Sequence, residues 1–327
     1  MTITARHRDS DDEVGAPVTR HDVRIDVSDA VGIPHAEVAA TVIGPAHGGG
    51  AGILAVAFPG GAYSRGYWDI QWPGGYSQAE YHASRGWLFA AVDHLGIGES
   101  SRLEPSTLTI ELMARASSAA TENLVSLLRA GSLADSLGPV EVPFIIGIGQ
   151  SMGGCVSIVA QALCQPFDGL AVLGYSPAHF ELPHPEGETS VEAAAQAGMD
   201  TTAAIAWIFH HDDEDPALRH EDLRGGFPFR TESVPPWGAA IPPVGLSLLN
   251  AGIIEKEAAE VTIPILIGAG DRDVCPDPWI EPATYRASRN VTLCVVERMA
   301  HMHNFAQSRR ELWHSVHRWG ESLRCAS

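Results

Sequence analysis

The sequence contains no run of about 18 apolar residues, the length that a helix needs to cross a bilayer. Its first stretch, Met1 to Gly15, is polar and charged and lacks the apolar segment of a secretory signal. From these two absences we expect no membrane span and a cytoplasmic location.

Positive charge is also scarce. The chain has 21 Lys and Arg against 40 Asp and Glu, so its formal net charge is −19 with histidine neutral. Nucleic-acid binding needs clustered Lys and Arg, and an anionic membrane repels an acidic surface. The composition therefore disfavours nucleic acids and membranes as partners. It is compatible with a soluble protein that acts on a small-molecule substrate, and it leaves a homo-oligomer open.

Paired cysteines and a dinucleotide-binding loop are missing as well. The chain has five cysteines and no C-x-x-C, so the sequence indicates neither a zinc ribbon nor a disulfide framework. Gly147 and Gly149 begin a G-x-G, but Met152 stands where G-x-G-x-x-G requires its third glycine. A nicotinamide-type oxidoreductase is therefore disfavoured, and we predict no cofactor. The cysteines are Cys155, Cys164, Cys275, Cys294 and Cys325.

Short apolar runs alternate with helical patterns along the chain. Ile53–Phe58, Trp87–Val92 and Phe144–Ile148 are apolar throughout, as strands buried on both faces are. This alternation predicts the α/β class, with a mostly parallel central sheet flanked by helices. The first two strands alternate polar and apolar residues, so we expect them to pair antiparallel at one edge.

Prolines and aromatic residues break this alternation after the sixth predicted strand. We therefore predict a loose N-terminal tail over 1–20, a core domain made of 21–177 and 261–327, and a cap (lid) insertion over 178–260. Part of the insertion, Val191–Phe209, has a helical pattern.

Gly149-Gln150-Ser151-Met152-Gly153 has the pattern G-x-S-x-G. It follows an apolar run and precedes a small-residue helical pattern, so Ser151 stands at the apex of a strand, turn and helix. Flanking glycines let the backbone turn tightly and leave the serine hydroxyl exposed. The pattern by itself is common, so the surrounding sequence decides its meaning.

A serine nucleophile needs a base, and the base needs an orienting acid. The acid should follow a late strand, because active sites of open parallel sheets lie at the carboxyl ends of the strands. The run Ile263–Ile267 is followed by Asp271 and Asp273. We predict Asp273 as the acid, since Gly270-x-x-Asp273 followed by Pro276 is the usual turn. Asp271 is then a turn or capping residue.

The base should follow the next strand in the same way. Val291–Val296 is followed by His301 and His303. We predict His301 as the base because it is the first histidine beyond the strand; His303 then sets the loop or contacts substrate. A His-x-His metal site would need a third ligand, which the sequence does not name, so we predict no metal. The acidic stretch His210–Asp215 is expected to be a solvated loop.

An oxyanion needs two amide donors. Met152, which follows the serine, is predicted to supply one. The glycine loop after the third strand should supply the other, from Gly61 with Ala62 as the second choice. We predict that Ala62, Tyr63 and Trp237 contact substrate, and that the aromatic residues form an apolar pocket. The alternative is that these aromatic side chains fasten the cap to the core domain.

Together these motifs resemble the α/β-hydrolase superfamily. Pro59-Gly60-Gly61 is similar to its oxyanion loop, and Asp93–Ser100 resembles its D-x-x-G-x-G-x-S turn after the fourth strand. Ser151 at the turn between strand and helix, which is called the nucleophile elbow in this superfamily, and the late Asp273 and His301 complete the resemblance, which covers roughly residues 45–178 and 260–325. Pro59 departs from the pattern, because many members have histidine before the glycine.

The resemblance implies a serine hydrolase that cleaves a carboxylic ester or lactone of a small, largely apolar substrate through a Ser-His-Asp triad (Ser151, His301 and Asp273) and an acyl-enzyme. Epoxide hydrolases and haloalkane dehalogenases of this fold use Asp at the elbow, so Ser151 disfavours both. C–C bond hydrolase, thioesterase, amidase and acyltransferase chemistry on the same triad are the alternatives. A ligand-binding protein without catalysis is a further one.

Overall fold

A computed structural model provides the structure of the chain. It describes residues 16–46, 52–134, 138–142, 144–187, 189–230, 232–247 and 250–326. Most of the predicted N-terminal tail, residues 1–15, lies outside the described residues. Residues 18–20, which the sequence placed in that tail, belong to the first strand.

Within the described ranges, eight strands form one sheet, and two short strands form a separate antiparallel ribbon. The strands are β1 Val18–Asp26, β2 Glu37–Pro45, β3 Leu54–Phe58, β4 Asp69–Ile70, β5 Tyr76–Ser77, β6 Leu88–Val92, β7 Ile145–Gln150, β8 Gly169–Leu173, β9 Ile265–Arg272 and β10 Val291–Ala300. The main sheet has the order β1-β2-β6-β3-β7-β8-β9-β10, and β4 pairs with β5.

The pairing directions confirm the predicted α/β class. From β6 to β10 every neighbouring pair is parallel, whereas β1 with β2 and β2 with β6 are antiparallel. The predicted antiparallel edge is therefore present. Parallel neighbours bring the carboxyl ends of their strands to one edge of the sheet, which is where a site is expected.

Helices cover both faces of the sheet. They are α1 Ser28–Val31, α2 Gln78–Ala83, α3 Ile110–Ala130, α4 Met152–Cys164, α5 Val191–Gln196, α6 Thr202–Phe209, α7 Pro216–Asp222, α8 Pro243–Ser247, α9 Glu255–Glu260 and α10 Arg309–Arg324. One core cluster joins buried side chains of α3, α4 and α9 to one face of β3, and a second joins α2 and α10 to the other face. Among the described residues no helix has the length and apolar composition needed to cross a membrane.

Residues 178–260, which make up most of the chain between β8 and β9, are called the inserted segment below. It contains α5 to α9, and the helical stretch predicted over Val191–Phe209 is divided into α5 and α6. Gly198 lies between them with φ +71°, a backbone conformation that ends a helix. Gly238 forms an antiparallel bridge with Tyr63, so the inserted segment is tied to the loop after β3.

Close backbone approach joins the start of α4 to the end of β3. A Cβ on Gly153 would lie 2.0 Å from the carbonyl oxygen of Phe58, and one on Gly149 would lie 2.4 Å from the carbonyl oxygen of Gly153. Only glycine fits where two backbones meet at such distances. The two glycines of G-x-S-x-G thus set the position of the residue between them.

We expect Gly153→Ala to lower the free energy of unfolding by about 1 to 3 kcal/mol, because the backbone of Phe58 cannot rotate away from the added methyl group. Gly138→Ala is the matched control, since a Cβ there meets nothing within 4 Å. Urea denaturation of both variants measures the difference. Equal stability of the two variants would contradict the packing argument.

Candidate active site

Ser151 occupies the sharp turn between β7 and α4. Its backbone has φ 50° and ψ −118°, a left-handed conformation that a residue with a Cβ rarely adopts. The amide of Ser151 donates to the carbonyl of Leu173 (2.8 Å), and the carbonyl of Ser151 accepts from the amide of Cys155 (3.1 Å). These bonds hold the strained residue, as the predicted elbow requires.

Two predicted oxyanion donors lie on the same cavity as Ser151. Met152 is the first residue of α4, where a backbone N–H has no partner within the helix and the helix dipole favours negative charge. Gly61 lies on the loop after β3 and lines the cavity as well. Its neighbour Gly60 packs so closely on Gln150 that a Cβ would lie 2.2 Å from the side-chain Oε1.

Asp273 follows β9 and is buried, with four donors on its carboxylate. Oδ1 accepts from the amide of Val274 (2.8 Å) and from Nδ1 of His301 (2.7 Å). Oδ2 accepts from the amide of Gly270 (3.0 Å) and from Nε2 of His303 (2.6 Å). Burial by itself would raise the pKa of Asp273, but the charges and hydrogen bonds of His303 and His301 hold that pKa well below its usual value.

Asp271 lies near Asp273 in the chain but has different partners. Its carboxylate accepts from the amides of Arg298 (2.9 Å) and Met299 (3.1 Å). Arg298 has φ +56° and lies where the pairing of β10 with β9 is interrupted. Asp271 therefore stabilises an irregular stretch of β10. This agrees with the prediction that Asp271 is a turn or capping residue.

The two histidines share Asp273 but differ in what they face. His301 lines the cavity with Ser151, and its ring lies 5.3 Å, centroid to centroid, from that of Phe209. Because Nδ1 of His301 donates to Asp273, Nε2 of His301 is the ring nitrogen left to accept a proton. His303 is not among the lining residues, and its buried Nδ1 has no partner among the described residues.

The cavity has a volume of about 270 Å³ and is walled on one side by the inserted segment. Its lining contains no Asp, Glu, Lys or Arg among the described residues, so it is suited to an apolar ligand. The inserted segment contributes Phe180, Leu182, Val191, Ala195, Thr201, Ile205, Ile208, Phe209, Phe227, Pro228, Phe229, Ile241 and Gly245. Gly61, Ser151, Met152, Tyr175, His301 and Met302 complete the lining.

Three residues predicted to contact substrate are absent from this lining. The hydroxyl of Tyr63 donates to Oδ2 of Asp222 (2.6 Å), and Nε1 of Trp237 donates to Oδ1 of the same carboxylate (2.7 Å). The carbonyl of Ala62 accepts from Nη1 of Arg230 (2.6 Å). The prediction that Ala62, Tyr63 and Trp237 contact substrate is therefore wrong for this cavity. These residues instead fasten the inserted segment to the core, because their polar groups bond to buried charged side chains.

The stretch His210–Asp215, expected to be solvated, is partly buried. His210 and Glu214 are 0% and 4% exposed, and Nδ1 of His210 lies 2.7 Å from Oε2 of Glu214. Nε2 of His210 lies 3.1 Å from Oδ2 of Asp222. We name His210, Glu214, Asp222 and Arg230 the buried ion cluster. Local sequence has no signal for it, because its members reach across α7 and the following loop.

Comparison with known proteins gives a likeness in structure alone. No family model and no curated protein matches the sequence. An esterase from Thermogutta terrifontis matches with a TM-score of 0.60 at 15% identity, covering 93% of this chain and 99% of the other. A proline iminopeptidase from Mycobacterium smegmatis matches with a TM-score of 0.65 at 14% identity, with the same two coverages, 93% and 99%.

An esterase from Exiguobacterium antarcticum has a TM-score of 0.60 at 14% identity over 88% of this chain and 96% of the other. The sheet order and these structural matches indicate the same fold. This chain has the α/β-hydrolase fold. In this α/β-hydrolase fold, β7, β9 and β10 end at one edge of the sheet, and Ser151, Asp273 and His301 follow those three ends.

The buried ion cluster generates a prediction about pH. Burial by itself would lower the pKa of His210, but the charge of Glu214 and the contacts with Asp222 and Glu214 raise it from 6.5 to about 9. A pKa raised in the folded state adds stability that is complete below pH 6.5 and is lost as the pH rises through 9.

We therefore expect the free energy of unfolding of the wild type to fall between pH 6.5 and 9 more steeply than that of His210→Gln. His211→Gln is the control, because His211 pairs with Asp213 nearer the surface (2.9 Å). Urea unfolding at several pH values measures the slopes. Parallel curves for the wild type and His210→Gln would show that His210 is not charged in the fold.

Proposed function

We propose that this chain is a serine hydrolase that cleaves carboxylic esters or lactones with a small, largely apolar acyl or alcohol part. The observation that carries the proposal is that Ser151 and His301 line the same cavity, with Asp273 bonded to Nδ1 of that histidine. Two of the solved structures with this fold are esterases, which is compatible with the proposal but does not by itself assign the activity to this chain. The inserted segment is proposed to be the cap.

In the first half-reaction, Oγ of Ser151 attacks the carbonyl carbon while Nε2 of His301 takes the hydroxyl proton. The amides of Met152 and Gly61 stabilise the oxyanion. The carbon–oxygen bond to the alcohol then breaks, and His301 returns the proton to the leaving oxygen. The products of this half-reaction are the free alcohol and an ester of Ser151.

In the second half-reaction, water attacks the acyl-enzyme and gives its proton to His301. The new tetrahedral intermediate collapses, the acid leaves, and the proton returns to Ser151. Asp273 stays ionised throughout, because the charges and hydrogen bonds of His303 and His301 hold its pKa low, and it stabilises the imidazolium of His301 in both halves.

The apolar lining supports an ester rather than a charged substrate. A free amine or a second carboxylate would be desolvated without an ionic partner, since the lining has none among the described residues. An apolar acyl chain instead gains by burial against Ile205, Ile208 and Ile241. This separates the proposal from a peptidase that binds a charged terminus.

We expect Ser151→Ala to lower turnover of p-nitrophenyl esters by at least about 10³-fold and to abolish labelling by a fluorophosphonate. Ser157→Ala is the control, because Ser157 is buried on α4 away from the cavity lining.

A panel of p-nitrophenyl esters, thioesters and lactones of increasing acyl length identifies the bond that the protein cleaves. Labelling without turnover of any ester would favour the C–C hydrolase alternative, and undiminished turnover by Ser151→Ala would refute the nucleophile.

The choice of base is tested with the two histidines. We expect His301→Gln to lower kcat by about 10³-fold or more, because no group is left to take the serine proton. His303→Gln keeps a side-chain N–H that can donate to Asp273, so we expect a loss within about 10-fold. Steady-state kinetics on one ester measure both. The reverse order of losses would make His303 the base.

A further inference from the structure

The buried ion cluster belongs to the inserted segment and contacts the loop that contains Gly61. Burying charges is costly, and a buried ion pair is weak evidence for stability. Asp222 is 0% exposed and Arg230 is 2% exposed. Net stability therefore does not explain the cluster. Its contacts indicate that the cluster holds the loop after β3 in one conformation.

Asp222 connects three elements through its two oxygens. Oδ2 accepts from the hydroxyl of Tyr63 on the loop after β3 (2.6 Å). Oδ1 accepts from Nε1 of Trp237 (2.7 Å) and from Nη2 of Arg230 (3.0 Å). His210, which directly follows α6, has its Nε2 3.1 Å from Oδ2. Each oxygen of this carboxylate thus accepts at least one hydrogen bond and also lies within 3.1 Å of a cationic side chain of the cluster.

Arg230 holds the residue next to Gly61. Its Nη1 donates to the carbonyl of Ala62 (2.6 Å), and the amide of Ala239 donates to the same oxygen (2.9 Å). The guanidinium also lies over the ring of Tyr63, 5.0 Å from its centroid. The inserted segment therefore supplies both donors that hold the Ala62 carbonyl.

The backbone at Ala62 needs this support. The amide of Tyr63 bonds the carbonyl of Gly60 (3.3 Å), which closes a turn over residues 60–63. Ala62 occupies the third position of that turn with φ +68°, where glycine is favoured because a Cβ is strained. An alanine stays in this conformation only if its peptide is held from outside.

We propose that Arg230, oriented by Asp222, is a positioning residue that fixes the Gly60–Tyr63 turn and so keeps the Gly61 amide aimed at the oxyanion. The proposal rests on the proposed function. Arg230 does not line the cavity, so it acts through Ala62 and touches no substrate. Oxyanion donors stabilise the transition state only when they are held in place beforehand.

This role predicts a particular kinetic signature. Acylation and deacylation both pass through an oxyanion, so a misplaced turn slows both and lowers kcat. The apolar lining that binds the substrate is unchanged, so KM stays nearly constant. A residue that only stabilises the fold would lower the fraction of active protein and leave the turnover of each folded site unchanged.

The test compares Arg230→Lys with Arg224→Met. Lysine keeps the charge but lacks the planar fork that reaches the Ala62 carbonyl and Asp222 together. Arg224 is the control because its side chain is 53% exposed and pairs with Glu221 at the surface. Fluorophosphonate titration counts the active sites, and p-nitrophenyl butyrate hydrolysis then gives kcat per site and KM.

We expect Arg230→Lys to lower kcat per titrated site by about 10- to 100-fold, with KM within about 3-fold of wild type. Arg224→Met should match the wild type. Unchanged kcat per site in Arg230→Lys, even with a lower melting temperature, would overturn the positioning role and leave the proposed function intact. A wild type that neither reacts with the probe nor hydrolyses an ester would overturn both.

Tyr63→Phe provides a second variant in case Arg230→Lys fails to fold. It removes the hydrogen bond to Asp222 and keeps the ring, so packing is preserved. We expect kcat per site to fall by about 3- to 10-fold with an unchanged KM, less than in Arg230→Lys, because the variant removes one bond that orients Asp222 and leaves Arg230 in place. No change in kcat per site would overturn the proposal.

Discussion

The candidate site depends on one buried carboxylate and the four N–H groups that satisfy it. Two of the donors to Asp273 are backbone amides, that of Gly270 near the end of β9 and that of Val274 in the loop after it, and two are imidazoles from the loop after β10. A buried charge left without such donors would be strongly destabilising. The arrangement therefore fixes the two loops against each other and orients His301 toward the cavity. This is possible because β9 and β10 are parallel neighbours that end at the same edge.

The inserted segment separates apolar from ionic surface. Toward the cavity it presents isoleucine, phenylalanine and valine side chains, and no charge among the described residues. Away from the cavity it holds His210, Glu214, Asp222 and Arg230, each paired with an opposite charge. The charges of the segment are thus kept out of the cavity lining, and electrostatic interactions inside a lining of low polarity are stronger than in water.

The sheet and the elbow were predictable, because the signals are local. Apolar runs and the glycines around Ser151 act within a few residues, and the structure has the parallel strands and strained turn that they predict. Roles that depend on distant partners were harder to predict. Tyr63 and Trp237 were predicted to contact substrate, yet both bond to Asp222, which is 159 residues from Tyr63 along the chain. His210 and Glu214 were predicted to lie in a solvated loop, because no local sequence pattern shows which distant residues bury them.

The sequence by itself determined the class of fold, the serine at the turn and the order of acid and histidine behind it. These features follow from periodicity and from short motifs whose geometry is set by neighbouring residues. Tertiary structure decided between Asp271 and Asp273 as the partner of the histidines, and which histidine faces the cavity. It also decided that the charges of the inserted segment are buried. The physical reason is the same in each case: a side chain's partners and exposure depend on residues brought together from distant parts of the chain.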